Sequence, residues 1–371
     1  MKKILLALTL FLFFLFLPKT TFAQANLPHD EYYKAKVDSI PNEGQVINDG
    51  KTNLFQDLKL KIEGGSANGK IVDVHYGDPI TLTKDKELQV GDEIVLLKSI
   101  NPNGKTTYSV YDVYRFNRVI ITLILFFALV ILIAGIKGVG SLVGLITSLG
   151  VILLFIVPNI LQGRDPLLIS ILGSLIILFV STYVAHGVSK QTTVALVSTF
   201  FALFLTAFLA TIATNATSLT GVGNEDIASL AIGTTSIISL KGLFLGGIII
   251  GTLGALNDVT ITQAAAIFEI ATLDKEIKYK NLVKRGFNIG REHILSLVNT
   301  LVLAYAGSSL FIFIFIVLNP NKMPYWVIFN TETISGETIS TIVGSAGLIL
   351  AVPISTLLAS WVVLNLKYKK K

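Results

Sequence analysis

"LKGLFLGGIIIGTLGALNDV", residues 240–259, is an apolar run that ends on an asparagine and an aspartate. Apart from Lys241 it is uncharged until Asp258, and a helix of about 20 such residues crosses the ~30 Å hydrocarbon layer of a bilayer. A helix satisfies its own backbone hydrogen bonds in lipid, whereas an open strand does not. The stretch therefore predicts a transmembrane helix, and it raises the question of why polar groups follow it.

The composition of the whole chain agrees with a membrane location. Of 371 residues, 52% are hydrophobic and only 15% are charged, which is too apolar for a soluble protein of this length. The formal charge of +6 comes from lysines beside apolar runs, where they act as topology signals, so no nucleic-acid partner is predicted. The absence of cysteine excludes disulfides, thiol catalysis and thiolate metal sites.

The predicted fold class is a polytopic α-helical membrane protein of about seven transmembrane helices with an N-terminal, extracytoplasmic, small all-β domain. The helices form a transmembrane domain at 118–367, followed by a basic cytoplasmic tail at 368–371. The polar segment 224–240 is predicted to be an interfacial or a re-entrant piece. The predicted spans are 119–136, 140–161, 166–187, 193–214, 241–270, 293–318 and 339–366.

Two segments precede the first span. Residues 1–25 begin with Lys2 and Lys3 and continue with an apolar core and small residues near their end, which predicts a cleavable signal peptide. Residues 26–117 show short alternating runs broken by turn residues, which predict a β-rich domain of five or six strands. Within it, residues 58–62 and 71–76 predict a hairpin that turns through Gly64 to Gly69.

The charge distribution predicts the orientation. With the β domain outside the cell membrane, seven spans place the C-terminus in the cytoplasm. Most lysines and arginines near the spans then fall on the inner side, as the positive-inside rule requires. The predicted protein is therefore multi-pass, with an extracytoplasmic N-terminal domain and a cytoplasmic C-terminus.

Glycines in the fifth span predict close helix packing, because small residues let a neighbouring backbone approach. If the helix continues past the last of them, small and polar residues at spacings of three or four share one face. The packing glycines are Gly242, Gly246, Gly247, Gly251 and Gly254. The polar face carries Gly251, Ala255, Asp258, Thr262, Ala265 and Glu269.

Three interpretations of Asp258 stay open at this stage. It marks an inner helix end and caps a surface continuation, it takes part in structural hydrogen bonds between helices, or it is a titratable or ion-pairing group inside the bundle. In the third case Asn257, Thr262 and Asn299 of the sixth span support it in a site for an ion, a proton or a polar solute. The candidate substrate- or ion-binding residues are Asp258, Asn257, Thr262, Glu269 and Asn299.

An exported β domain ending in "YSVYDVYR", residues 108–115, followed by spans that include residues 251–270, resembles the YibE/F-like family of membrane proteins. Gly251, Gly254, Asp258 and Glu269 look like the family's Gly-x-x-Gly, Asp and Glu positions. Leu256-Asn257 stands where the family often has a small residue and Met. Family members are uncharacterised multi-spanning bacterial proteins, so the resemblance implies a fold and a location but no activity.

Two functions follow as hypotheses. The first is a transporter or permease-like protein for an ion or small polar solute, with Asp258 as the binding group. The alternative is a non-catalytic membrane assembly or sensing protein that binds a partner through its β domain. Zincin, nucleophile-elbow and Walker motifs are absent from the sequence, so no enzyme, metal or cofactor is predicted. The expected partners are the lipid bilayer, the solute and a homo- or hetero-oligomer with a related membrane protein.

Overall fold

A computed structural model describes residues 30–48, 51–77, 87–100, 105–223, 238–319 and 322–368. The predicted signal peptide, nearly all of the polar segment 224–240 and the last three residues of the basic tail lie outside these ranges. The described chain forms two compact units, one running up to Leu129 and the other starting at Val130.

The first unit contains an antiparallel sheet of five strands in the order β3-β2-β1-β4-β5. The predicted hairpin is confirmed as β2 and β3, joined through a 3-10 turn at Gly65–Ala67. The strands are β1 (Glu31–Asn48), β2 (Lys51–Glu63), β3 (Ile71–Tyr76), β4 (Glu93–Ile100) and β5 (Thr106–Val113).

Alternation of side chains along the strands builds the core of this sheet. Leu58, Leu60 and Ile62 are at most 1% exposed, because successive residues of a strand point to opposite faces. The edge strands β3 and β5 approach each other, so the sheet curls into a half-barrel. The buried Gln56 closes it by bonding both the N–H and the carbonyl of Leu88, at 2.9 and 3.0 Å.

The helical region has five helices that are long and apolar enough to cross a membrane, or six if one bent pair is counted as a span. These counts refer to the described ranges. The helices are α1 (Phe116–Val151), α2 (Val157–Leu161), α3 (Pro166–His186), α4 (Lys190–Ala216), α5 (Leu240–Leu273), α6 (Tyr279–Ser308), α7 (Leu310–Leu318), α8 (Tyr325–Phe329) and α9 (Glu332–Tyr368). A π-helical turn at Ile152–Ile156 joins α1 to α2.

One of the predicted boundaries agrees with the structure and one differs from it. Within the segment Phe116–Leu161 the chain leaves helical geometry at Gly135, where φ is 58°, next to the predicted end of the first span at residue 136. Glycine permits that backbone conformation without a Cβ clash. The prediction of a single helix at 293–318 is wrong, because the chain breaks at Ser309 and α7 bends by 66° from α6. The total of seven spans stays a prediction.

Contacts between helices fix their relative directions. α3 runs parallel to α5, since Pro166 lies against Gly242 and Thr182 bonds Asn257 farther along. α9 is also parallel to α5, because Thr252 lies against Gly344 and, farther along both helices, Gln263 bonds Thr356. α4 is antiparallel to both. The starts of α3, α5 and α9 therefore lie together at one end of the bundle.

The opposite end, where α3 and α5 stop, is rich in positive charge, and we call it the basic end. It carries the residues that the positive-inside rule assigns to the inner side: Lys190, Lys275, Lys278, Lys280, Lys284, Arg285 and Arg291. The described cations at the starts of α3, α5 and α9 are fewer: Arg164, Lys241 and Lys322.

Candidate functional site

α5 is the central helix of the bundle, and polar residues on its buried side bond to its neighbours. Asn257 accepts a hydrogen bond from Thr182 of α3 at 2.9 Å. Three residues later, the hydroxyl of Thr260 bonds that of Thr199 in α4. The backbone carbonyl of Thr260 also accepts from Ser355 of α9 at 3.1 Å. In an apolar bundle such bonds hold helices together, because no water competes for them.

Gln263 continues this buried row three residues farther on. Its side chain is 2% exposed, and its amide nitrogen donates to the Gly286 carbonyl of α6 at 2.8 Å and to Thr356 of α9 at 2.7 Å. Gly290 packs against the same amide, where a Cβ would lie only 3.2 Å from it. One side chain thus connects three helices.

The opposite side of α5 is exposed, and its composition is unusual for a helix of this kind. Between residues 247 and 269 the exposed positions carry no large apolar side chain, and the first one to appear is Leu273. By contrast, the exposed positions of α1 are mostly large aliphatic and aromatic residues. We call this surface the open face of α5. Its exposed residues are Gly247, Gly251, Gly254, Asp258, Thr262 and Glu269.

The glycines of α5 divide between the two sides. At Gly242 a Cβ would lie 2.9 Å from Pro166 Cδ, and at Gly246 it would lie 2.4 Å from Ser170 Oγ, so both glycines allow α3 to approach closely. At the open-face glycines, Gly247, Gly251 and Gly254, nothing in the described chain lies within 4 Å of a Cβ. The close packing predicted there is not made among the residues that the structure describes.

Asp258 lies in the middle of the open face. The Thr262 hydroxyl donates to its backbone carbonyl at 2.7 Å, while His186 at the end of α3 interacts electrostatically with its carboxylate. Among the described residues the carboxylate has no hydrogen-bond donor. Because α5 continues to Leu273, the interpretation of Asp258 as a cap at a helix end is wrong. The carboxylate is exposed on the outside of the single-chain bundle.

The other candidates are placed apart from one another. Glu269 is on the open face, about 16 Å from Asp258 along the axis at 1.5 Å per residue. The Asn257 side chain points toward α3 and away from the open face that carries the Asp258 side chain. Asn299 is exposed on α6, and within the described chain it makes no hydrogen bond to α5. The predicted contact of Asn299 with α5 is wrong, because Asn299 lies on the exposed side of α6, while Leu297 and Leu301 on the other side pack into the core.

Sequence analysis missed two groups that the structure reveals. The first is the buried row of Asn257, Thr260 and Gln263, whose spacing of three was a visible signal. The second is Glu332 at the start of α9. Its carboxylate accepts the N–H groups of Thr220, Gly221 and Val222 at 2.6–3.1 Å, and so it ties the segment after α4 to α9.

Two grooves lie at the basic end, away from Asp258. A largely apolar groove of about 660 Å³ runs between α4 and α9 and includes Lys190 and Trp361. A smaller one of about 370 Å³ adjoins Arg285, which pairs with Asp274 at 3.5 Å. Within the described ranges no three His, Asp or Glu residues cluster as metal ligands would. The open face is therefore the candidate site.

The β half-barrel carries a separate aromatic feature. Tyr32 and Tyr111 form an edge-to-face pair at 5.2 Å, and they are 55% and 63% exposed. Beside Tyr32 in the sequence, Glu31 pairs with Lys98 at 3.0 Å. Hydrogen bonds from Tyr33 and Lys98 hold the pKa of Glu31 below its ordinary value. The outer surface thus combines exposed rings with paired charges.

The long apolar helices and the half-barrel together define a helical protein of the membrane type. Residues 122–365 match the YibE/F-like protein family, and the chain belongs to that family. The match contains α5 and its open face, begins inside α1 and leaves the half-barrel outside. No curated protein and no solved structure matches the chain.

Proposed function

We propose that this is an integral membrane protein that transports an ion or small polar solute along the open face of α5. The observation that carries the proposal is the composition of that face, which exposes glycine, aspartate, threonine and glutamate and no large apolar side chain between residues 247 and 269. A carboxylate facing lipid costs roughly 2.5–3.5 kcal/mol at the centre of a span and less toward its end, and Asp258 lies beside His186 at the end of α3. A face of this kind fits contact with water or a polar solute.

The residues of the open face fit different parts of a path. Gly247, Gly251 and Gly254 provide a wall without side chains, along which a solute approaches the backbone. Asp258 then offers a carboxylate to a cation or to the donor groups of a solute. Glu269 offers a second carboxylate nearer the basic end, so that a solute leaves the first group for another of the same charge.

The proposed orientation places the basic end in the cytoplasm and the half-barrel outside the cell membrane. The clustering of lysines and arginines at one end of α3–α6 supports it through the positive-inside rule. In the proposed topology the chain crosses the bilayer seven times, with the break at Gly135 separating the first two crossings and the bent α6–α7 pair forming the sixth.

Asp258→Asn tests the transport proposal. We expect proteoliposomes of the parental protein to pass protons, sodium or rubidium above the rate of empty vesicles, and the variant to lose about tenfold or more of that flux, since it removes the negative charge of Asp258 from the open face. Flux is followed with a pH-sensitive dye and with radioactive sodium and rubidium.

Matched controls separate a role in transport from a role in folding. Glu276→Gln makes the same change of carboxylate to amide in the α5–α6 connection and should keep the parental flux. Because the Asp258 side chain is exposed, the Asn variant should be recovered from membranes in parental amounts. An Asp258→Asn protein that transports at the parental rate would show that the face does not act through this carboxylate.

The exposed tyrosine pair of the half-barrel favours a second candidate function, a non-catalytic assembly or sensing protein. Exposed aromatic rings are enriched where proteins bind partners. In that case a photoreactive phenylalanine analogue at Tyr111 should form a covalent adduct in intact membranes, and Tyr32→Ser should remove it. The same analogue at the exposed Gln45, near the far end of β1 from Tyr32, is the control. An equal adduct at both positions contradicts a partner site at the tyrosines.

A further inference from the structure

The break between α6 and α7 lies in an apolar region. α7 has the sequence LFIFIFIVL, with every residue exposed or half-buried and none polar. A segment of that composition belongs in the hydrocarbon layer and not in water. The break at Ser309 is therefore inside the layer. There, irregular backbone is tolerated only where protein or a water-filled cavity surrounds it.

Polar side chains from two helices meet at this break. Ser309 donates to the carboxylate of Glu337, on α9, at 3.1 Å. Tyr305, one turn before the break, is half-buried and interacts electrostatically with the same carboxylate. Its hydroxyl also lies 3.5 Å from where Gly344 of α9 would carry a Cβ. The break thus places the Ser309 hydroxyl on a carboxylate, whereas the Tyr305 hydroxyl lies beside Gly344, two turns farther along α9.

Glu337 has no positive partner in the described part of the chain. It lies five residues into a candidate membrane span and is half-buried, and no lysine, arginine or histidine of the described ranges pairs with it. A carboxylate in such surroundings is stable when a cation binds to it or when it is protonated. The local groups decide between these two states.

The end of α6 adds oxygen ligands and negative potential. A helix ends with carbonyls that lack intrahelical partners and carry a partial negative charge. The Tyr305 carbonyl is already bonded to the Ser309 N–H and the Ser308 hydroxyl, so the later carbonyls of α6 are the available ones. Hard cations prefer oxygen ligands of these types. A single carboxylate balances one positive charge.

We propose that Glu337 and Ser309, together with the carbonyl end of α6, form a binding site for a monovalent cation. The site is distinct from the open face of α5. Thr252 contacts Gly344 at one level of the bundle, and Glu337 and Asp258 lie on opposite sides of that level, roughly 20 Å apart along the axis. The proposal does not rest on transport, because binding is measurable without flux.

Equilibrium binding of radioactive sodium and rubidium to the full chain in lipid nanodiscs tests the site. We expect saturable binding of at least one of the two ions, which Glu337→Gln weakens tenfold or more and Ser309→Ala weakens severalfold. Asp258→Asn and Glu292→Gln, an exposed carboxylate on α6, should bind as the parental protein does.

Each alternative outcome has a defined meaning. If the parental protein binds neither ion while infrared spectra show a protonated carboxyl that Glu337→Gln removes, the site holds a proton and the cation proposal is overturned. Parental affinity in Glu337→Gln, or loss of binding in Asp258→Asn instead, also overturns it. Should Glu337→Gln fail to fold, Ser309→Ala decides, since it keeps the carboxylate.

Discussion

Gly246→Leu is expected to prevent assembly of the helical unit, whereas Gly247→Leu leaves it assembled. At Gly246 a Cβ would lie 2.4 Å from Ser170 Oγ and 3.3 Å from the carbonyl oxygen of Pro166. A leucine there forces α3 away from α5, and overpacking costs about 1–3 kcal/mol even where the neighbours can move. The open space at Gly247 has room for the new side chain.

The pair is measured by size-exclusion chromatography and thermal unfolding of both proteins after extraction in mild detergent. We expect Gly246→Leu to give aggregate or no recovered protein, and Gly247→Leu to give the parental peak and melting temperature. Gly247→Leu should nevertheless slow transport, because it places an apolar side chain on the open face. If both variants fail to assemble, a neighbouring helix or a second copy covers the open face, which contradicts its proposed contact with solute.

Gln263→Leu is expected to loosen α6 from α5 and α9. The substitution removes hydrogen bonds to the Gly286 carbonyl and to Thr356 in a site where Gln263 is 2% exposed. Measured interhelical bonds in membranes average about 0.6 kcal/mol and reach about 1.7 kcal/mol. Losing both, with the Gly286 carbonyl left without this donor, should destabilise the bundle by about 1–3 kcal/mol.

Thermal unfolding and limited trypsin digestion check this expectation. The variant should melt at a lower temperature, and the lysines of the α5–α6 connection should be cut faster as α6 detaches. Thr262→Val, one residue earlier but on the open face, serves as the control and should behave as the parental protein. Equal melting temperatures for Gln263→Leu and the parental chain would show that apolar packing alone holds α6.

The sequence predicted elements that depend on local signals. The predicted span 166–187 agrees with α3, which begins at Pro166 and is capped by the Asp165 side chain, an acceptor of the Leu168 N–H at 2.8 Å. Alternating apolar residues predicted the β2–β3 hairpin, because one face of each strand needs burial. Such signals lie within a few residues of the feature that they indicate.

The parts that the sequence did not predict depend on which elements become neighbours. α5 carries two polar stripes, one through Asn257, Thr260 and Gln263 and one through Asp258 and Thr262. Periodicity gives the angle between them but not which of them meets α3, α4 and α9. The break at Ser309 was missed for a related reason, since apolar composition continues on both sides of it and records no bend. Glu337 becomes a candidate binding residue only because Ser309, at that bend, contacts its carboxylate.

α5 is the least apolar of the five candidate spans, although it occupies the centre of the bundle. On its own it partitions into lipid less favourably than the others. Two of its polar partners, Thr182 and Thr199, belong to helices that the ribosome makes earlier. When α5 emerges, hydrogen-bond acceptors and donors for it are thus already in place. We therefore expect the buried threonines of α3 and α4 to favour the insertion of α5, a helix that the lipid alone would hold weakly.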